Sequence, residues 1–296
     1  MWNRGSARAV HRILSYPIGG APVKNGAYNS SLITGGTGVD YQNITYEKVD
    51  SVGIVTLNRP GRSNALSIAL LAEMNCLLAG ISASREVKVL IIRAAGKNFC
   101  AGHDLTDLAG KDISVCNTMF SACAEMMLRL QRLPQPVIAQ VQGIATAAGC
   151  QLVAACDLAV AEEGARFGTP GVNIGVFCST PAVSIVRAVG RKRAMEMLFT
   201  ARLISAREAE QWNLINRIVP VEKLETETME LARHIARASL SCLAIGKQAF
   251  YTQVNLPDPA AYDHTSNVIV NNFFTEDGKE GVSAFLEKRK PVWKDR

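Results

Sequence analysis

This 296-residue chain is short of several features that would have directed its reading elsewhere. None of its eight cysteines forms a C-x-x-C pair, and none of its four histidines stands at zinc spacing from a cysteine pair. That excludes the common zinc signatures and a thioredoxin-like redox motif. Apolar residues flank most of the cysteines, which predicts buried free thiols in a reducing compartment. No run of ~18 uncharged apolar residues occurs, so no helix is expected to span a membrane. Acidic residues are missing altogether before Asp40.

Hydrophobic residues make up 48% and charged residues 20%, enough for a substantial core and too apolar for a disordered chain. The net charge is +6, but Arg4, Arg8, Arg12 and Lys24 all precede the first acid. Without them 28 basic and 26 acidic residues remain, a net of +2. A body so near neutrality gives no basis for bulk nucleic-acid binding. Arg4, Arg8 and Arg12 recur every four residues and share one helical face, with Val10, Ile13 and Leu14 available for an apolar one. With Ser6, Ser15, Ser30 and Ser31 and no acid, residues 1–39 read as a mitochondrial targeting segment, predicting the matrix as destination. The alternative is a basic tail without regular structure.

The remaining chain alternates strand and helix signals. Ile44–Val49 and Gly53–Leu57 predict strands around Asp50-Ser51, and Ser67 predicts the cap of a helix running to about Ala83. Val87–Arg93 and Val137–Val141 read as buried strands. Helices are expected from about Ser114 to Arg132 and from Thr146 to Ala155, then a strand at Asp157–Ala161. Helices are predicted at Thr180–Ala188, Arg193–Thr200 and Ala206–Trp212, a strand at Arg217–Val219, and further helix to about Asn272. The order implies an α/β fold with a helical C-terminal region.

Two segments carry chemical promise. Asn98-Phe99-Cys100-Ala101-Gly102-His103-Asp104-Leu105 follows one buried strand, and Gly143-Ile144-Ala145-Thr146-Ala147-Ala148-Gly149-Cys150-Gln151-Leu152 follows another. Small residues allow a ligand carbonyl close to the backbone, and a helix start leaves free N–H groups. Converging amides of this kind form an oxyanion hole, although such junctions occur in many α/β proteins.

Together with Leu57-Asn58-Arg59-Pro60, Asn64-Ala65-Leu66, Cys156-Asp157-Leu158-Ala159, Phe167-Gly168-Thr169-Pro170, Thr200 to Ala206 and the tail Phe285-Leu286-Glu287-Lys288-Arg289-Lys290-Pro291, these segments resemble the crotonase (enoyl-CoA hydratase/isomerase) family over about residues 44–296. The resemblance implies a spiral of ββα turns. It divides the chain into the targeting segment 1–39, an acyl-CoA-binding core 40–220 and a helical C-terminal region 221–296 that provides trimer contacts and a CoA-contacting tail. It implies an acyl-CoA thioester as substrate or ligand, with no separate cofactor and no metal, and a homotrimer or dimer of trimers. The backbone N–H groups of His103 and Ala148 match the oxyanion-hole positions. Asn64, Ala65 and Leu66 match a stretch meeting adenine, and Phe285 and Lys288 match tail positions meeting CoA.

Four departures stand out. Where the family's hydratases carry two glutamates, this chain has Gln151 and Gly171; where a lysine often follows the loop aspartate it has Thr106, and Ala147-Ala148 replaces a common Gly-Gly. General acid–base catalysis contributes about 10²–10⁴ per positioned group, so ordinary hydratase activity is not expected. The His103 imidazole, Cys178 and Ser179 are the remaining side chains considered for chemistry, while Asp104 reads as a cap and Asp157 as a backbone fixer. The expected function is oxyanion-hole chemistry on an acyl-CoA in mitochondrial fatty-acid metabolism, by isomerisation, decarboxylation or thioester hydrolysis. The alternative is a non-catalytic acyl-CoA-binding or regulatory protein.

Overall fold

The computed structural model describes residues 40–296, and the expected targeting segment lies outside the described residues. In chain order the elements are β1 (Ile44–Val49), β2 (Val52–Leu57), α1 (Ile68–Ala83), β3 (Val89–Ala94), α2 (Ile113–Arg132), β4 (Val137–Val141), β5 (Ile144–Thr146), α3 (Ala148–Ala155), β6 (Leu158–Glu162) and β7 (Arg166–Gly168). They continue with α4 (Ser179–Val189), α5 (Arg191–Thr200), β8 (Ile204–Ser205), α6 (Ala206–Gln211), β9 (Arg217–Val219), α7 (Leu224–Ala236), α8 (Leu240–Gln253), α9 (Asp258–Phe273) and α10 (Glu276–Leu286). Short 3₁₀ turns sit at Pro60–Arg62, Leu105–Asp107, Pro170–Ile174 and Val221–Lys223.

Six strands form the main sheet in the order β1-β2-β3-β4-β6-β9, and β5-β7-β8 form a second sheet of three. β1 and β2 are an antiparallel hairpin, while β2 to β9 run parallel along the main sheet. Parallel neighbours need long crossovers, which the helices supply.

The inner strands β2, β3, β4 and β6 are buried on both faces, which is why they read as nearly unbroken apolar runs, whereas edge strand β1 alternates with exposed residues. Ile54, Ile91 and Ile138 stand side by side across β2, β3 and β4. They point into a small core beneath Leu224 and Ala232 of α7. Their chain neighbours Val55, Ile92 and Ala139 point the other way, into the main core with α1, α2 and α3.

Two segments differ from the sequence expectation. Ile144–Thr146 is strand rather than the approach to a helix, because it pairs with Arg166–Gly168; the helix starts two residues after Thr146, at Ala148. Strands of two or three residues carry no readable period, and their pairing is long-range. In the tail, Glu276–Leu286 forms α10 beyond the expected helical end. Thr275 caps it by accepting from the Gly278 amide.

Among the described residues of α8 and α9, only Leu240 is fully buried. Polar contacts dock α8 instead. Lys247 Nζ donates to Asp157 Oδ2 at 2.6 Å and to the Leu130 and Gln135 carbonyls, and Tyr251 OH donates to Asp157 Oδ1 at 2.9 Å. The Val137 amide donates to the same carboxylate, so Asp157 does fix local backbone, at the start of β4. Burial lowers the Lys247 pKa against the pull of Asp157, and burial raises that of Tyr251.

Removing one member of a buried ion pair strands the other charge. Lys247→Met is therefore expected to destabilise the protein by about 3 kcal/mol in chemical denaturation, whereas an exposed control such as Lys279→Met should change it by under about 0.5 kcal/mol.

Candidate active site

The loops after β3 and β4 leave the carboxyl ends of neighbouring parallel strands, the edge where open α/β sheets bind ligands. The first loop behaves as an irregular strand gripped from both sides. On one side Cys100 N donates to Ile144 O at 3.0 Å and Thr146 N donates to Cys100 O at 2.9 Å. On the other, Ala101 N donates to Ser63 O at 3.0 Å, Leu66 N to Gly102 O at 2.7 Å and Asp104 N to Leu66 O at 3.0 Å. Leu66 and His103 thus form a parallel bridge. In such a bridge Leu66 contributes both bonding groups, and the N–H of His103 points to the opposite side. That is the side holding the second sheet and the start of α3.

Ala148 is the first residue of α3, so its N–H is one of the helix's orphan donors. Among the described residues neither the His103 nor the Ala148 amide donates to a protein acceptor. Gly102 shows how close the two loops lie. A Cβ there would stand 2.8 Å from Ala147 Cβ and 3.3 Å from Ala148 N, and its φ is +102°. Only glycine fits.

Ala147 adopts φ 50° and ψ −118°, a conformation that favours glycine. Such strain costs of order 1–3 kcal/mol. Hydrogen bonds hold it from both sides: Ala147 N donates to Gly168 O at 2.9 Å, and Gln151 N donates to Ala147 O at 3.0 Å. The arrangement presents two free amides at a helix start, suited to a developing negative charge.

The walls are fixed by polar contacts. Arg59 donates to Asp104 Oδ2 at 2.8 Å and to the Ala65 carbonyl at 2.6 Å, tying the two loops together. Asp104 also caps the following turn, accepting from Thr106 N and Oγ1, and these bonds, led by that of the Thr106 hydroxyl, lower its pKa. Asn64, buried at φ 52°, spends its side chain on Ala95 O, Asn98 O and Arg59 N. Asn64, Ala65 and Leu66 accordingly line the back of the loop. The Arg59–Asp104 clasp and the Asn64 cross-links were not read from the sequence, because they join segments 31 to 45 residues apart.

His103 packs its ring edge-on to Phe120 of α2, centroids 4.9 Å apart, and its Nε2 has no partner among the described residues. Burial pushes its pKa down to about 4, so the imidazole is neutral near pH 7. Gln151 lies one turn beyond Ala148 on the same helical face, and helix geometry directs its side chain back toward the helix start. It is buried, and its Oε1 has no partner among the described residues. Gly171 is boxed in: a Cβ there would lie 2.2 Å from Val176 O and 2.8 Å from Cys178 Sγ. Cys178 thus faces Gly171, and burial raises its thiol pKa, which disfavours the thiolate. Ser179 is exposed at the start of α4, its hydroxyl turned to Phe177 O at 3.4 Å.

Nearby carboxylates are engaged elsewhere: Asp107 caps Ile68 N and Glu162 accepts from Gly143 N. Phe285 and Lys288 are not brought to this site within one chain. They lie at the exposed end of α10, whose Asp277 accepts from the Lys294 and Asp295 amides, and Asp295 in turn pairs with Lys88 before β3. The start of α10 is thus tied to the opposite end of the sheet.

The chain belongs to the enoyl-CoA hydratase/isomerase family, whose sequence model matches residues 47–296. It is 47% identical over 247 residues to enoyl-CoA hydratase domain-containing protein 3, mitochondrial, of Mus musculus, covering 82% of each chain. It is 34% identical to a probable mitochondrial enoyl-CoA hydratase of Dictyostelium discoideum, covering 85% of this chain and 91% of that one. The crystal structure of human enoyl-CoA hydratase domain-containing protein 3 superposes with a TM-score of 0.83 at 44% identity, covering 85% of this chain and all of that one. An enoyl-CoA hydratase structure from Mycobacterium smegmatis gives 0.83 at 42% identity, covering 85% and 99%. The fold is the crotonase fold.

Two measurements probe the buried polar groups. An unfolded histidine titrates near pH 6.5, and His103 in the fold titrates near 4. Between these values the unfolded state binds more protons, so stability should fall as pH drops from about 6.5 to about 4 and be fully present above that window. In His103→Gln this part of the pH profile should flatten. Gln151→Leu removes a buried acceptor without a partner and should raise the stability of the free protein by about 1 kcal/mol, read from denaturant midpoints.

Proposed function

We propose that this protein binds an acyl-CoA thioester and polarises its carbonyl between the backbone amides of His103 and Ala148. The observation carrying the reading is that pair of unspent donors, set beside each other by the close approach of Gly102 to Ala147-Ala148. An oxygen held there gains stabilisation as it becomes an enolate or tetrahedral oxyanion, and losing one such donor costs roughly 10²–10³ in rate in other enzymes. The amide of Gln151 cannot take up a proton near neutral pH, and Gly171 brings no group at all. The chemistry that suits the site is isomerisation, decarboxylation or thioester hydrolysis rather than two-carboxylate water addition.

The second reading, a non-catalytic acyl-CoA-binding or regulatory protein, is favoured by one observation. The Val176 carbonyl occupies the space a side chain at 171 would need. Mitochondrial location is supported by the Arg-bearing acid-free start of the sequence and by the mitochondrial relatives, and a place in fatty-acid metabolism is part of the same proposal. Assembly as a homotrimer or dimer of trimers through the C-terminal helices is supported by their exposed apolar side chains, among them Tyr262, Ile269, Phe273 and Phe274.

Purified protein should bind butyryl-CoA in calorimetry and hydrate crotonyl-CoA at least about 10²-fold more slowly than a two-glutamate family member. Mass spectrometry of a panel of short, medium and branched acyl-CoAs separates the two readings: turnover of a thioester supports the enzyme, and binding without turnover supports the regulator. Absence of binding to every CoA ester would refute both. Gln151→Glu, which needs no new space, should raise crotonyl-CoA hydration, whereas Gly171→Glu must first displace Val176.

A further inference from the structure

One residue beside the two free amides carries a side chain where the backbone favours none. Ala147 stands at φ 50° and ψ −118°, a conformation natural to glycine and strained for any other residue. Its methyl lies against Gly102 in the opposite loop. A Cβ built on Gly102 would meet the Ala147 Cβ at 2.8 Å, the Thr146 carbonyl at 3.1 Å and Ala148 N at 3.3 Å. The gap between the loops holds one carbon, and Ala147 supplies it.

The two residues in contact are also the two that precede the amides. His103 N shares a peptide plane with the Gly102 carbonyl, and Ala148 N shares one with the Ala147 carbonyl. In a trans peptide the C=O and N–H point in opposite directions. The Gly102 carbonyl accepts from Leu66 N at 2.7 Å and the Ala147 carbonyl from Gln151 N at 3.0 Å, so both N–H directions are fixed from behind. Their separation is set differently. The last backbone hydrogen bond between the loops runs from Thr146 N to Cys100 O. Further along, among the described residues, Gly102 and Ala147 meet through the methyl without a hydrogen bond. Two buried side chains next to this contact keep unpartnered oxygens: Thr169 Oγ1, one residue past the Gly168 that bonds Ala147 N, and Gln151 Oε1, on the helical turn that Ala147 caps. Buried polar atoms left unbonded by the protein call for a ligand or a water.

We infer that the Ala147 methyl is a positioning group, a spacer that holds the His103 and Ala148 amides at the separation one carbonyl oxygen requires. The inference rests on the acyl-CoA reading above and adds the side chain that sets the geometry of the carbonyl site. Such a site works when both donors reach the same oxygen at about 2.7–3.1 Å. Without the methyl the loops are free to close on each other or to part, and one donor falls out of reach. The methyl acts through the two peptide planes it keeps apart, not on the reacting atoms.

The test is difference infrared spectroscopy of butyryl-CoA, isotopically labelled at its thioester carbonyl and bound to the native protein, to Ala147→Gly and to Ala147→Ser. In the native protein the bound carbonyl is expected to stretch at a lower frequency than in buffer. In Ala147→Gly that shift should fall to about half, with one of two donors out of reach. Ala147→Ser keeps the Cβ and should restore it. Calorimetry should show butyryl-CoA binding Ala147→Gly about threefold to tenfold more weakly, the worth of one hydrogen bond. S-butyl-CoA, the thioether without a carbonyl, should bind both proteins alike. The denaturant midpoint of Ala147→Gly should hold or rise, because glycine releases the strain. A full shift in Ala147→Gly overturns the inference, as does a shift lost equally in Ala147→Ser. A midpoint that falls together with the shift overturns it too, since the methyl is then core packing. In each of these outcomes the acyl-CoA reading stands. If the native protein leaves the carbonyl unshifted, or binds no CoA ester, that reading falls and this inference with it.

Discussion

The backbone of Cys100–Asp104 is hydrogen-bonded along both edges, to Ser63–Leu66 on one and to Ile144–Thr146 on the other. That double grip leaves the His103 amide aimed toward the start of α3, without a partner among the described residues. A loop held on one side only would turn such an amide toward water or toward its own chain. The surrounding polar contacts serve the same end. Arg59 clasps Asp104 to Ala65, Asn64 spends its whole side chain on three segments, and Asp107 stitches the turn after the loop to the start of α1. The strained Ala147 survives because the Gly168 carbonyl and the first turn of α3 fix it from either side.

Much of the framework was legible in the sequence because it rests on local signals. The Ser67 cap is realised, accepting from Leu70 N, and the hairpin at Asp50-Ser51 and the buried strands at 89–94 and 137–141 follow from apolar runs bounded by turns. The second sheet was not legible. Ile144–Thr146, Arg166–Gly168 and Ile204–Ser205 are strands only because they meet each other, and sequences of that length state no period. The same division runs through the site. Gly102, Ala147 and Ala148 announce a close approach of backbones by being small, and family resemblance supplies the meaning of that approach. The Arg59–Asp104 clasp, the Phe120 edge against His103 and the Val176 carbonyl over Gly171 join residues 5 to 45 positions apart, and no local pattern predicts which partner each will find.

Two clusters in the polar interior contrast with each other. Asp157, Lys247 and Tyr251 satisfy one another and hold α8 to the sheet. His103 Nε2, Gln151 Oε1 and Thr169 Oγ1 lack partners among the described residues, and all three belong to the segments around Ala147. Buried polar atoms are almost always bonded in folded proteins. The first group holds elements together, and the second gathers unsatisfied polar atoms around the two loops that carry the His103 and Ala148 amides.

The turn at Gly171 also bears on how such a site could change over time. With the Val176 main-chain oxygen 2.2 Å from where a Cβ would sit, any side chain acquired at 171 meets backbone at its first atom. One codon change cannot put a carboxylate there in working order; the loop through Val176 must first move. A carboxylate at 171 thus demands at least two changes, one for the side chain and one for the loop that must yield to it.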